Sequence, residues 1–189
     1  MVSFTRAQLE SFRGVEVPDL VGADTRLLFV GINPGLRTAA TQTHFGNPVN
    51  RFYPALLRAG IVEDPIDVTE PMTDEVKASL TSRGIGISNL VRRATARADE
   101  LSAAELREGA DLLAALVERM RPRVVAVLGV TAYRTAFGRP RATVGRQAQG
   151  LGPAELWVVP NPSGLNAHET VDSLAAAYAA PARAAGLIS

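Results

Sequence analysis

The chain has 189 residues, of which 47% are hydrophobic, and its formal net charge is +1. This length is sufficient for one sizeable hydrophobic core, so we expect a single domain over residues 1–189. Because the sequence contains no cysteine and two histidines, disulfides, thiolate-bound iron–sulfur clusters and the usual structural zinc sites are excluded, and we expect no metal and no cofactor.

Short apolar runs alternate with helical patterns along the chain. The apolar runs cover 26–31, 84–90, 123–129 and 156–160, and their lack of polar alternation is typical of strands buried on both faces of a parallel sheet. Helices are predicted at 51–60, 74–83, 102–120, 131–137 and 170–180, with Pro181 ending or kinking the last one. The sequence therefore predicts an α/β sandwich in which helices cover a mostly parallel sheet.

Two loops with an Asn-Pro step follow strands that are far apart in sequence. Gly31–Gly35 follows the first predicted strand, and Asn161–Leu165 follows the last. Parallel strands place both loops at one edge of the sheet, where ligands bind in such folds. Proline restricts the backbone of the preceding residue, which fixes where the asparagine side chain points. Asn-Pro is also an ordinary turn dipeptide, so each loop alone has a purely structural interpretation.

A basic segment lies in the second half of the chain. Between Arg119 and Ala154 there are seven arginines, Arg146 among them, and no aspartate or glutamate. Guanidinium groups pair well with phosphate oxygens, so this segment is compatible with nucleic-acid binding. It is equally compatible with a solvated surface in a chain that uses arginine for nineteen of its twenty basic residues.

Four motifs in order resemble one enzyme family. These are GINPG at 31–35, HFGNPVNRF at 44–52, GISNLVRRATARADELS at 86–102 and NPSGL at 161–165. Together they resemble the mismatch-specific uracil-DNA glycosylases, bacterial relatives of thymine-DNA glycosylase, over about residues 27–178. The resemblance implies a three-layer α/β fold with a central four-stranded parallel sheet, and metal-free hydrolysis of an N-glycosidic bond in DNA. Residues 1–25 are expected to form an N-terminal extension.

The resemblance also implies roles for the first loop and the residues near it. Asn33 is expected to be the catalytic residue that positions the hydrolytic water, and Phe45 is expected to stack on the flipped base. Ile32 and Gly35 are expected to contact the base edge, with Gly35 leaving room that a bulkier residue would fill. Asn89 occupies a position that varies in the family. Its side chain has two open interpretations, a contact with the substrate or a hydrogen-bonded amide with a purely structural role.

The last loop is expected to bind DNA. Leu165 matches the residue that the family inserts into the duplex, Gly164 allows the turn and Ser163 contacts a flanking phosphate. Asn161, Asn166 and Arg146 complete the expected DNA-binding set. A phosphate contact is open for His44, and a cap or a weak DNA contact is open for His168. Neither spacing supports a histidine-based nucleophilic triad.

The expected partner is double-stranded DNA with mismatched or damaged bases, bound by a monomer. The chain lacks a signal-peptide core and any run of 18 apolar residues, so we expect a cytoplasmic protein that associates with the nucleoid through DNA and not with a membrane. Two alternatives stay open, a mismatch-binding module without catalysis and a nucleoside or nucleotide hydrolase. The lack of G-x-G-x-x-G and P-loop motifs argues against dinucleotide or ATP use.

Overall fold

The central sheet consists of apolar strands that helices bury on both faces. The computed structural model describes residues 2–189, with strands β1 (Leu27–Gly31), β2 (Ile85–Asn89), β3 (Val124–Leu128), β4 (Gly145–Arg146) and β5 (Glu155–Val159). β1, β2 and β3 are buried at every position. The sheet order is β2-β1-β3-β5-β4, and the first four strands in this order are parallel. The predicted α/β class and parallel core are confirmed.

The prediction of four strands was wrong, since the sheet has five. β4 pairs antiparallel with β5 at the edge of the sheet. It spans two residues, and its Gly145 has a φ of +119°. Such a short strand carries no hydrophobic alternation from which it could be recognised.

Seven helices and one 3₁₀ turn surround the sheet in the described chain. They are α1 (Arg6–Glu10), α2 (Leu36–Thr41), α3 (Phe52–Arg58), α4 (Asp74–Ser82), α5 (Ala103–Met120), α6 (Val130–Ala136) and α7 (Val171–Ala184), with the 3₁₀ turn at Ala98–Glu100. The five predicted helices are present. α1 and α2 were not predicted, because five or six residues are too few to show helical periodicity. None of these helices is long and apolar enough to cross a membrane.

Pro181 does not end the last helix. α7 continues to Ala184, with Pro181 and Ala182 buried inside it. Proline removes one backbone hydrogen bond from a helix. Burial of this turn against the core offsets that loss, since apolar burial contributes about 25 cal/mol per Å².

The two faces of the sheet carry separate cores. On one face Phe29, Phe52 and Tyr178 pack with their ring centroids 5.2 to 6.1 Å apart. On the other face Val30 and Val125 pack against the apolar side of α5 and against α6. Helices on both faces make a three-layer arrangement, as the resemblance implies.

Both edges of the sheet are occupied. The outer side of β2 exchanges backbone hydrogen bonds with the N-terminal segment, Leu20 N donating to Ile87 O (2.9 Å) and Ile87 N to Leu20 O (2.7 Å). A second antiparallel bridge joins Glu16 to Arg93. The opposite edge is closed by β4. Residues 16–20 are therefore part of the folded body.

Candidate functional site

A cleft of about 470 Å³ opens at the carboxyl ends of β1, β2 and β5. The two Asn-Pro loops face each other across it. Nine of the predicted site residues line this cleft, namely Ile32, Asn33, Gly35, Phe45, Asn89, Asn161, Ser163, Gly164 and Leu165. Segments about 130 residues apart in sequence therefore meet at one site, as parallel strand ends require.

Asn33 has an amide whose orientation is fixed by its neighbours. Its Nδ2 lies 2.7 Å from Thr95 Oγ1, 3.1 Å from Arg93 O and 3.2 Å from Pro34 O. The Thr95 hydroxyl donates its own proton to Arg97 O, so it accepts from Asn33. Because carbonyls only accept, the nitrogen must face these oxygens. The amide oxygen of Asn33 is left to accept a hydrogen bond from a molecule in the cleft.

Phe45 forms an aromatic wall of the cleft. Its ring stacks on buried Phe52, with centroids 4.1 Å apart and an interplanar angle of 29°. Its backbone lies in the left-handed region, with a φ of +54°, a conformation that costs a non-glycine residue energy unless its surroundings enforce it. The stack on Phe52 holds the ring in place, and the ring lines the cleft.

Gly31 lets two side chains pack closely against the backbone of β1 at the bottom of the cleft. A β-carbon at this position would lie 2.5 Å from Asn89 Oδ1 and 3.3 Å from Phe45 Cζ. Both side chains therefore approach the backbone of β1 at a point where only glycine fits. Gly35 differs, since a β-carbon there would meet no atom within 4 Å. The absence of a side chain at Gly35 leaves open space in the cleft.

Asn89 is buried beside His44. Asn89 Nδ2 lies 3.3 Å from His44 Nδ1, and His44 Nε2 lies 2.9 Å from Pro18 O. Burial, the largest effect, lowers the pKa of His44, while the Pro18 carbonyl and the nearby Asp19 carboxylate act against it. His44 is 5% exposed, so its side chain is not available to phosphate.

Leu165 stands at the tip of the last loop and is 91% exposed, more than any other large apolar residue in the described chain. Val49 lies next to this loop and is 65% exposed. A β-carbon on Gly164 would come within 2.8 Å of Val49 Cγ2, so the absent side chain lets the two segments touch. The result is an exposed apolar tip supported from below, at the mouth of the cleft.

Arg51 holds this loop from beneath, a role that sequence reasoning missed. Its guanidinium donates to the carbonyls of Ser163 (2.6 Å), Asn166 (2.7 Å) and Glu169. Its backbone N–H donates to Pro162 O at 3.0 Å. Arg51 lies within the quoted HFGNPVNRF motif, but the partners are more than 100 residues away in sequence and no local pattern indicates them.

The polar side chains of the loop are engaged within the loop itself. Asn161 Oδ1 accepts from Ser163 N (3.0 Å), Ser163 Oγ accepts from Leu165 N (3.3 Å), and Asn166 Nδ2 donates to Asn161 O (3.1 Å). These bonds shape the turn that presents Leu165. A direct DNA contact by Asn161, Ser163 or Asn166 stays a prediction.

Arg146 is not brought to the cleft. It lies on β4 at the far edge of the sheet, with its Nε 3.0 Å from Glu155 Oε2. The basic segment as a whole is also dispersed, since Arg119 lies in the last turn of α5 and Arg134 in α6. A phosphate contact by Arg146 stays a prediction. Such a contact would lie outside the cleft, because Arg146 is not among the residues that line it.

Few charged side chains line the cleft, and its polar side chains are held in place by hydrogen bonds within the protein. Arg97 and Asp99 at its rim form an ion pair with each other. Over residues 2–189 no three histidine, cysteine, aspartate or glutamate side chains are grouped so as to hold a metal ion. The arrangement offers an oriented amide oxygen, an aromatic surface and an apolar tip, which suits a planar, uncharged group inserted from outside.

Comparisons with known proteins agree with the fold. The sequence model of the uracil DNA glycosylase superfamily matches residues 18–180. The fold is similar to the solution NMR structure of a candidate uracil DNA glycosylase from Methanosarcina acetivorans, with a TM-score of 0.59 and 20% sequence identity. The similarity covers 93% of this chain and 98% of the other. The family match begins earlier than the expected boundary at residue 27, so it includes the strand-like segment that pairs with β2.

Proposed function

The chain belongs to the uracil DNA glycosylase superfamily, and we propose that it is a monofunctional DNA repair glycosylase of the mismatch-specific type. In this proposal it flips a mispaired or damaged base out of double-stranded DNA and hydrolyses the N-glycosidic bond, leaving an abasic site. The observation that carries the proposal is the convergence of two elements on one cleft, the oriented amide of Asn33 and the exposed tip at Leu165.

Base flipping explains the exposed leucine. A base inside a duplex is inaccessible to attack, so the enzyme must rotate it out, at a cost of roughly a few kcal/mol that is smallest at a mismatch. An apolar side chain that fills the vacated space and stacks between neighbouring bases offsets part of this cost. Leu165 is exposed and its loop is braced by Arg51, which are the properties such a wedge requires.

Asn33 is proposed to orient the attacking water. Cleavage of a glycosidic bond passes through an oxocarbenium-like sugar, so a weak nucleophile is sufficient once the bond has stretched. The amide nitrogen of Asn33 faces three protein oxygens. Its amide oxygen is therefore the atom that would accept a hydrogen bond from the attacking water. A neutral amide cannot remove the proton at neutral pH, so we expect a slower reaction than an aspartate base would give.

The proposed substrates share a flat ring and a weakened base pair. Uracil, ethenocytosine and thymine, each opposite guanine, are the bases we expect the pocket to accept. The flipped base stacks on Phe45, and base–aromatic stacking contributes about 1–3 kcal/mol. Open space beside Gly35 supports accommodation of the thymine methyl group or of the etheno ring.

The test is single-turnover excision on a duplex with one G·U pair, followed by alkali, which cleaves only at an abasic site. We expect strand cleavage with the wild-type protein and a loss of at least tenfold in rate for Asn33→Ala, measured on protein whose folding is verified by circular dichroism. Parallel duplexes with G·T and with ethenocytosine define the substrate range. Binding to G·U DNA with no abasic product would instead identify a mismatch-binding module, and release of bases from free nucleosides a nucleoside hydrolase.

A further inference from the structure

The chain that leaves β2, residues 90–95, runs beside the loop that carries Asn33. Thr95 N donates to Pro34 O at 3.2 Å, and a parallel bridge joins Thr95 to Gly35. The same segment supplies the backbone carbonyl and the threonine hydroxyl that face the amide nitrogen of Asn33. The position of segment 90–95 therefore decides how the Asn33 amide is oriented.

The opposite side of segment 90–95 is covered by the N-terminal part of the chain. Gly14 N donates to Ala94 O and Ala94 N donates to Val15 O, both at 2.9 Å, next to the antiparallel bridge described above. Gly14 has a φ of +80°, a conformation that favours glycine, where the chain turns into this pairing. Segment 90–95 is thus held between residues 14–17 on one side and the Asn33 loop on the other.

A small apolar cluster fixes this arrangement from beneath. It contains the buried residues Val17, Leu36, Ala39 and Ala94, with the partly buried Leu9 and Phe12 packed against them. Ala94 is 0% exposed although its own side chain is a single methyl group, so larger neighbours such as Phe12 must cover it. Leu36 starts the helix that directly follows the Asn33 loop. The N-terminal segment therefore packs against both chains that determine the geometry of Asn33.

An ion pair links the same segment to the turn after Thr95. The Arg13 guanidinium pairs with the Glu100 carboxylate, which also accepts from Arg97 N at 2.8 Å. Arg97 O in turn accepts from the Thr95 hydroxyl at 2.7 Å. The side chains of Arg13 and Glu100 are 42% and 31% exposed, and such pairs contribute little to stability. The apolar cluster is therefore the stronger connection between the N-terminal segment and this region.

We propose that residues 5–17 are a positioning element of the active site, which holds segment 90–95 against the Asn33 loop and so keeps the Asn33 amide oxygen aimed at the attacking water. The inference rests on the proposed glycosylase function. Within residues 2–25 no side chain lines the cleft, so this segment acts through Asn33 and not on the base. Misplacement of a reacting group by about 1 Å costs on the order of 100-fold in rate.

The test compares two substitutions that remove the same aromatic ring. Phe12→Ala opens the cluster beside Ala94. Phe137→Ala is the matched control, because Phe137 is also partly buried, stacks on Tyr133 with centroids 4.6 Å apart, and does not line the cleft. In single-turnover excision from a G·U duplex, well below both melting transitions, we expect Phe12→Ala to be about 10-fold slower than wild type and Phe137→Ala to be within about twofold of it. Affinity for a duplex with a tetrahydrofuran abasic analogue should be unchanged in both.

A double-mutant cycle separates positioning from a general loss of stability. If the N-terminal segment acts through Asn33, Phe12→Ala should slow excision no further once Asn33→Ala is present, because coupled residues are not additive. Leu9→Ala, a milder change in the same cluster, should behave in the same way and serves if the Phe12 variant does not fold. Additive losses of Phe12→Ala or Leu9→Ala with Asn33→Ala would overturn the inference.

A second measurement does not depend on activity. In ¹⁵N NMR spectra the side-chain amide protons of Asn33 should exchange slowly with solvent in the wild type, because the nitrogen faces three protein oxygens. We expect faster exchange in Phe12→Ala and unchanged exchange in Phe137→Ala. Equal exchange in the two variants, or equal loss of excision, would overturn the positioning role and leave the glycosylase function intact. A wild-type protein that releases no base would refute the proposed function, and the exchange result would still decide whether the N-terminal segment holds Asn33.

Discussion

Replacement of Arg51 by methionine should release the loop that carries Leu165. The substitution keeps an unbranched side chain of similar length beneath the loop and removes the guanidinium donors to Ser163 O, Asn166 O and Glu169 O. Because the loop is at the surface, the freed carbonyls regain water when it opens, so the loss per bond is the net value of about 1 kcal/mol. Three bonds give about 3 kcal/mol, or roughly a 100-fold shift towards the open loop.

Hydrogen exchange measured by mass spectrometry reports this shift directly. We expect faster exchange concentrated in residues 161–169, a melting temperature lowered by at most about 10 °C, and weaker binding to a G·U duplex. Arg58→Met is the matched control, because Arg58 ends the same helix that Arg51 precedes and forms an exposed ion pair with Asp172, which contributes little. Exchange in the loop and DNA affinity within twofold of wild type for Arg51→Met would refute the bracing role.

Leu165→Ala should slow excision from duplex DNA at least tenfold and affect a single-stranded substrate far less, and equal losses on both would contradict the wedge. Asn33→Asp should place a carboxylate against the Pro34 and Arg93 carbonyls, which raises the pKa of the new carboxyl and lowers thermal stability at neutral pH. A faster enzyme of unchanged stability would show that the amide nitrogen is not held there. The Arg93 guanidinium and the Ser102 cap lower the pKa of Glu105 to about 2. Its contribution to stability is therefore present above the unfolded pKa of about 4.5 and lost as pH falls towards 2, so in urea unfolding Glu105→Gln should lack this acid-dependent loss.

The sequence indicates the buried strands well because they are buried on both sides. Leu27–Val30 is an unbroken apolar run between Arg26 and Gly31, and the neighbouring strands give it parallel partners. β4 escapes prediction because two residues cannot form a pattern, and α7 continues through Pro181 because tertiary packing overrides a local signal.

The candidate site was predictable where the information is local. The Asn-Pro steps point to the loops after the first and last predicted strands, which converge because the strands are parallel, while the roles expected of Asn33 and Leu165 came from the family resemblance. Partners supplied by distant segments were not predictable. The oxygen of Thr95, which orients Asn33, lies 62 positions away, and Arg51 reaches carbonyls 112 positions away or more.

The closed margins of the sheet have a consequence for how the chain behaves at high concentration. Free strand edges are templates on which other polypeptides add as new strands and aggregate. Here the N-terminal segment covers one margin through Leu20, and the two-residue β4, with its charged Arg146 and Glu155 pair, blunts the other. Such margins protect the protein from intermolecular β-stacking without occupying the mouth of the cleft.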